Sequence, residues 1–403
     1  TFSLLFVYNA NAGFGNSILD SAHKIISPNT YKCSLCAMTF GVFSERKAWK
    51  KFRTETNLSL EFLHKDEFQK KYRNDEFEEF PLVLKVESQK LSVFLSAKEL
   101  NKIEAEITTI SFETPIDSSD MDIESWEKIA FIVKDNYEKH DGFVILHGTD
   151  TMAYTASAVS FMVQNLAKPV VFTGSQLPIG DLRTDAKENL ITSIEIACSQ
   201  KNDTPIISEV CLYFEYKLYR ANRTTKISAE QFEAFTSLNY PPLAESGVNL
   251  TFNHYYIHKP AKEIKELVVR KKLVNDIVIL KLFPGITEKV VEHILNIKNL
   301  KGVILETYGA GNAPNESWFI ALLKKASVKN IKIINVTQCS GGSVVQGHYE
   351  TSVGLKEIGV ISGKDITTES AIAKLMYLLN KNLSLNEFTT NFEKPLRGEI
   401  SEE

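Results

Sequence analysis

Residues 142–151 read Gly-Phe-Val-Ile-Leu-His-Gly-Thr-Asp-Thr. Phe143 to Leu146 form a short apolar run, which predicts a buried strand. His147-Gly148 ends it, and Thr149, Asp150 and Thr151 follow. In an open parallel sheet, ligands bind outside the carboxyl ends of the strands. Two hydroxyls flanking a carboxylate would therefore stand where a small polar substrate sits. The next residues, from Met152 to Val163, predict a helix. The same pattern also describes an ordinary strand-to-helix turn with a Thr or Asp cap. The rest of the chain chooses between the two readings.

Strand and helix patterns alternate on either side of this stretch. Before it, Trp126, Ile129, Ala130, Val133 and Tyr137 mark one helix face at 3.6-residue spacing. Ile107–Phe112, rich in β-branched residues, predicts a strand, and Ile116 to Met121 a polar loop. After it, Pro169 to Thr173 reads as a strand that runs into Gly174-Ser-Gln-Leu-Pro. Asp185 with Glu188 is a helix-start signature. Glu209 to Phe214 is another strand, and Arg220 to Lys226 reads as a polar loop. Residues 236–262 carry Pro241, Pro242 and Pro260 and read as a linker with a small strand pair. From Asp276 the alternation resumes: strand to Leu282, helix from Thr287, strand Val303–Leu305, helix after Pro314, strand Ile331–Val336 and helix Glu369–Leu379. This alternation predicts an α/β fold with a larger parallel-sheet domain and a smaller Rossmann-like one.

The amino-terminal quarter has a different texture. Ser3 to Tyr8 predicts a strand, residues 9–15 a loop and Ser17 to Ile26 a helix. That loop lacks the glycine spacing of a phosphate-binding turn. Cys33 and Cys36 form a lone CxxC, compatible with redox work, half a zinc site or two inert thiols. Residues 45–79 read as a solvated helical surface, and 80–95 as a hairpin.

The composition narrows the partners. A net charge of −4 leaves no basic footprint for nucleic acid. No apolar run is long enough to span a membrane, and the amino terminus lacks a basic flank, so no signal peptide is expected. Five cysteines, an odd number, point to a reducing compartment rather than a disulfide framework.

Six blocks carry a resemblance: 116–121 (Ile-Asp-Ser-Ser-Asp-Met), 147–152 (His-Gly-Thr-Asp-Thr-Met), 172–179 (Phe-Thr-Gly-Ser-Gln-Leu-Pro-Ile), 183–190 (Arg-Thr-Asp-Ala-Lys-Glu-Asn-Leu), 222–226 (Asn-Arg-Thr-Thr-Lys) and 308–314 (Tyr-Gly-Ala-Gly-Asn-Ala-Pro). Together they resemble the bacterial asparaginase/glutaminase family, in particular its cytoplasmic type I branch, over roughly residues 100–395. The resemblance implies hydrolysis of L-asparagine to aspartate and ammonia in the cytoplasm, with no metal and no cofactor, by a homodimer or homotetramer. It implies a Thr-Lys-Asp relay of Thr149, Lys226 and Asp150. A hydroxyl is a weak nucleophile and needs a base beside it, which a partly desolvated lysine can supply. Asp150 would also hold the substrate α-ammonium group, and Ser118 and Ser119 the α-carboxylate. The segment around Cys339 would contribute to a regulatory asparagine site. His147 reads as structural and His348 as a surface residue. The implied layout is a catalytic domain over 100–255, a linker over 256–274 and a second domain over 275–403.

One element of the family pattern is missing. The resemblance implies a Thr-Gly-Gly-Thr-Ile motif at the end of a first strand, carrying the attacking threonine, and no such motif occurs. Residues 1–99 instead loosely resemble a small bacterial family with a CxxC in a similar place. The chain therefore reads as a chimera in which the first strand, nucleophile loop and lid have been replaced. Either the larger sheet is left with unpaired edges, or Ser3–Tyr8 fills the gap and puts Asn9 or Asn11 where the nucleophile should stand. Three functions stay open: amide hydrolysis, asparagine binding without turnover, and redox work at Cys33/Cys36.

Overall fold

The computed structural model describes residues 3–8, 35, 59–72, 77–87, 90–95, 105–179, 181–259, 265–346 and 350–402. The chain divides into two compact units, Thr1–Pro115 and Ile116–Glu403.

The first unit holds β1 (Ser3–Tyr8), β2 (Ser59–His64), helix α1 (Lys65–Tyr72), β3 (Leu82–Glu87) and β4 (Lys90–Leu95). They form one sheet in the order β2-β1-β3-β4. β1 runs parallel to β2 and antiparallel to β3. Alternate residues of β1 serve two cores. Leu4, Phe6 and Tyr8 face one side; Leu5 and Val7 pack on the other with Phe68 of α1. That is the period-2 alternation of a strand covered on both faces. The expected hairpin over 80–95 is β3–β4. Ser3–Tyr8 is thus a central strand of its own sheet, and it does not fill a gap in the larger one. Ile107–Phe112 forms no strand: these residues are irregular, with Ile107 39% and Ile110 50% exposed. A β-branched run has strand propensity only when a pleated partner surface receives it. Cys33, Cys36, residues 9–15 and 17–26, and His348 lie outside the described residues.

The second unit contains two sheets. The larger is built from β5 (Phe143–Leu146), β6 (Val170–Thr173), β7 (Val210–Phe214), β8 (Lys217–Arg220), and, beyond the short pair β9 (Thr225–Lys226) and β10 (Phe235–Thr236), β11 (Ala244–Ser246) and β12 (Leu250–Phe252). The order is β12-β11-β8-β7-β6-β5. It is parallel over β5, β6 and β7 and antiparallel beyond. The expected strand pair within 236–262 is therefore an extension of the main sheet rather than a linker ornament. Four parallel strands make the smaller sheet: β13 (Ile277–Lys281), β14 (Gly302–Thr307), β15 (Lys332–Thr337) and β16 (Ile361–Ser362).

Helix α2 (Ile123–Asn136) buries Trp126, Ile129, Ala130 and Val133, the face expected from their spacing. Helix α3 (Met152–Met162) buries every residue except Tyr154. A helix apolar all round belongs inside, and α3 packs against α2 and against the later helix Thr368–Leu379. It packs on β6 and β7 of the larger sheet, while Thr368–Leu379 packs on β14 and β15 of the smaller, and the first turn of α3 follows the Thr149–Thr151 turn directly.

β5 lies at the edge of the larger sheet. Phe143 N donates to Pro169 O and His147 N to Thr173 O, both toward β6. Strand alternation therefore turns the amides of Val144 and Leu146 outward. Among the described residues no strand pairs with that side.

Candidate active site

Parallel pairing brings the carboxyl ends of β5 and β6 level, with Leu146 opposite Thr173. The approach is close: a Cβ on Gly174 would lie 2.2 Å from His147 O. His147 closes the strand with its ring, Nδ1 lying 2.6 Å from Gly148 O. Burial pushes the imidazole below its ordinary range.

Lys226 reaches this turn from β9. Its Nζ donates to Thr149 Oγ1 at 2.9 Å and to Asp150 Oδ1 at 2.7 Å. The Lys226 side chain is 17% exposed and that of Asp150 70%. The site is therefore open on its carboxylate side and closed around the ammonium. The three residues expected to act together do meet.

What places Lys226 is a buried polar loop. Arg220, Ala221, Asn222, Arg223 and Thr224 are all buried, so the expected polar loop lies inside the protein. Each charge has a partner. Arg220 Nε donates to Glu209 Oε2 at 2.5 Å, and Arg223 Nη1 to Asp365 Oδ2 at 2.7 Å. Asn222 Nδ2 donates to Arg397 O at 3.1 Å and Arg223 Nε to Gly398 O at 2.7 Å. The carboxy-terminal segment thus grips the loop that ends in Lys226. Next to Lys226, Thr225 Oγ1 donates to Glu369 Oε1 at 2.6 Å. Burial raises the Glu369 carboxyl despite that bond.

Ser118 is buried against Gly148. A Cβ there would sit 2.5 Å from Ser118 Oγ, so only glycine permits the contact. Thr151 Oγ1 donates to Ser118 O at 2.5 Å and ties the 117–121 loop to the turn. Ser119 is different: it is exposed, and its amide and hydroxyl both donate to Asp117 Oδ1, at 2.9 and 2.7 Å. Those bonds hold the Asp117 carboxyl below its usual range. Of the two serines, Ser118 is the one packed on the Thr149 turn.

Gln176 joins the site without having been singled out in the sequence. Thr149 Oγ1 donates to its Oε1 at 2.9 Å. Its position just past the carboxyl end of a parallel strand was the available signal. Asp185 also has more to do than start a helix. It makes no side-chain capping bond to α4 (Ala186–Cys198). Its carboxylate accepts instead from Gln176 N, Leu177 N and Asn189 Nδ2, at 3.0–3.2 Å. Cys339 is an exposed free thiol just beyond β15, where Thr337 Oγ1 accepts from its amide.

A family model described as Asparaginase, N-terminal, matches residues 81–258, and one described as Glutaminase/Asparaginase C-terminal domain matches 276–392. L-asparaginase 1 of Escherichia coli is 43% identical over 305 residues, covering 75% of this chain and 88% of that protein. The chain belongs to the asparaginase family. The crystal structure of L-asparaginase I from Vibrio cholerae matches with a TM-score of 0.65 and 44% identity, covering 71% of this chain and 84% of that one. A 60 kDa lysophospholipase of Mus musculus is 41% identical over 295 residues, 73% of this chain but 51% of that protein. Asparaginase relatives are amidohydrolases. Membership accounts for the two α/β sheets and for the six sequence blocks together.

Proposed function

We propose that this chain hydrolyses the side-chain amide of L-asparagine to L-aspartate and ammonia, with Thr149, Lys226 and Asp150 as the relay. The observation that carries the reading is Lys226 Nζ bridging Thr149 Oγ1 and Asp150 Oδ1. Ser118 receives the α-carboxylate. The exposed oxygens of Asp150 receive the α-ammonium group, a charge-assisted contact. This seating directs the carboxamide at Thr149. Lys226, once neutral, takes the Thr149 proton while the Thr149 oxygen takes one from water. The hydroxide adds to the amide carbon, the C–N bond breaks, and the leaving nitrogen departs as ammonia with the proton returned by Lys226. The same reading carries assembly as a homodimer or homotetramer.

The missing Thr-Gly-Gly-Thr-Ile motif favours a second reading, asparagine binding without turnover, on the same residues. Loss of one member of a catalytic set costs several orders of magnitude in rate. Ammonia release is measured beside Thr149→Ala, with calorimetric titration of L-asparagine in parallel. Turnover that disappears in the variant supports hydrolysis. Heat of binding with no ammonia selects the binding reading, and neither signal removes both.

A further inference from the structure

The Thr149 hydroxyl has one proton and two lone pairs. Lys226 Nζ spends a hydrogen on it at 2.9 Å, so one lone pair is taken on that side. The proton goes the other way, to Gln176 Oε1 at 2.9 Å. The orientation of the Gln176 carboxamide is fixed by its other end. Nε2 lies 3.1 Å from the carbonyl oxygen of Gln231, which can only accept. The amide oxygen therefore faces Thr149. The residue cannot drift, because its main-chain amide is held by the buried Asp185 carboxylate, at 3.0 and 3.1 Å, with Asn189 behind it.

We propose that Gln176 is a positioning residue: it aims the Thr149 hydroxyl proton away from Lys226 and so sets the condition under which the pair can exchange it. This rests on the reading of Thr149 and Lys226 as a proton relay. In the resting arrangement Thr149 accepts from the ammonium of Lys226 and offers it no proton. For transfer, Lys226 first gives a proton to solvent, and the Thr149 hydroxyl then turns from Gln176 toward the neutral amine. Its O–H bond breaks as a new N–H bond forms. Gln176 favours the first arrangement over the second.

Two variants push in opposite directions. Gln176→Leu keeps the bulk and removes the acceptor, freeing Thr149 to donate to the neutral amine. Gln176→Glu places a negative charge beside the ammonium. Two readouts are taken across pH: ammonia release from L-asparagine, and acetylation of Lys226 by acetic anhydride quantified by peptide mass spectrometry. The expected result is that the onset of both moves to lower pH in Gln176→Leu and to higher pH in Gln176→Glu, by about one unit each. In a Thr149→Ala background the Gln176→Leu shift disappears. A merely structural role would leave the Gln176→Leu onset where the wild type has it, whereas the Gln176→Glu shift follows from its charge and reports that position 176 faces the ammonium. Coincident onsets in all three proteins, or a Leu shift that persists without Thr149, would overturn the proposal. A chain that releases no ammonia removes the hydrolytic reading, while the acetylation arm still decides the role of Gln176.

Discussion

Replacing Asp365 by Asn tests whether the loop that delivers Lys226 is held by a buried ion pair. Arg223 is 1% exposed and Asp365 12%. Three bonds converge on the carboxylate: Arg223 Nη1 at 2.7 Å, Ser401 N at 2.9 Å and Ser401 Oγ at 2.6 Å. Asn keeps the shape and one acceptor but turns an NH2 toward donors. It leaves the buried guanidinium without its ion-pair partner. Removing one partner of a buried pair costs about 3–5 kcal/mol, against about 0–1 kcal/mol for an exposed pair. At about 2–4 °C per kcal/mol, the lower figure predicts a fall in melting temperature of about 6–12 °C. The pH dependence adds a signature. Burial pushes the Asp365 carboxyl up, but the Ser401 hydroxyl, the Arg223 charge and the Ser401 amide outweigh it, and the net shift is downward from 3.8. A depressed carboxyl contributes stability that is present above its unfolded value and lost as pH falls through the folded one. The gap between wild type and Asp365→Asn should therefore be constant from about pH 5 to 8 and narrow in more acidic solution, below 3.8. Urea titrations across that range measure it. A gap under about 1 kcal/mol at neutral pH, or one that does not narrow in acid, would refute the buried-pair reasoning.

Gly148→Ala should cost about 1–3 kcal/mol by overpacking against Ser118 and, on the proposed seating of the α-carboxylate at Ser118, raise the KM for asparagine more than it lowers kcat. Steady-state kinetics and a melting curve read both. Trp126→Phe removes the indole donor to Thr155 Oγ1 at 3.0 Å and leaves a buried hydroxyl unpaired. It should cost about 1–3 kcal/mol in a chemical denaturation curve, and adding Thr155→Val should recover part of that. In the first unit, Phe68→Ala empties a site that is 0% exposed and ringed by Tyr72, Phe77 and Phe80. The loss should be about 3–5 kcal/mol, seen as faster amide exchange in Leu82–Glu87, and unchanged exchange there would contradict the packing.

What the sequence made legible was whatever rests on local pattern. β14 and β15 are buried along their whole length around the apolar residues Val303–Leu305 and Ile333–Ile334. α2 announced its buried face by spacing alone. The Thr149–Asp150 turn was legible because a strand end, a glycine and a hydroxyl-carboxylate pair fall within a few residues. The rest depends on contacts far apart in the chain. Arg220 to Thr224 read only as a polar loop because their partners are distant: Asp365 is 142 residues from Arg223, and Gly398 is 175. Ile107–Phe112 has strand composition, but composition cannot supply a neighbouring strand. Gln176 stood inside a noted block, yet its role depends on the direction of one hydroxyl proton, which no spacing rule encodes.

Among the described residues the outer side of β5 is unpaired, and this has a consequence for handling the protein. Leu146 is 65% exposed, and the outward amides of Val144 and Leu146 lie immediately before His147 and Gly148. An unprotected strand edge is a template for the backbone of any extended chain. At high concentration the Thr149–Thr151 turn would then be the point where self-association begins. Dilution would preserve the turn, and loss of the proposed asparagine binding on storage would track light scattering rather than unfolding.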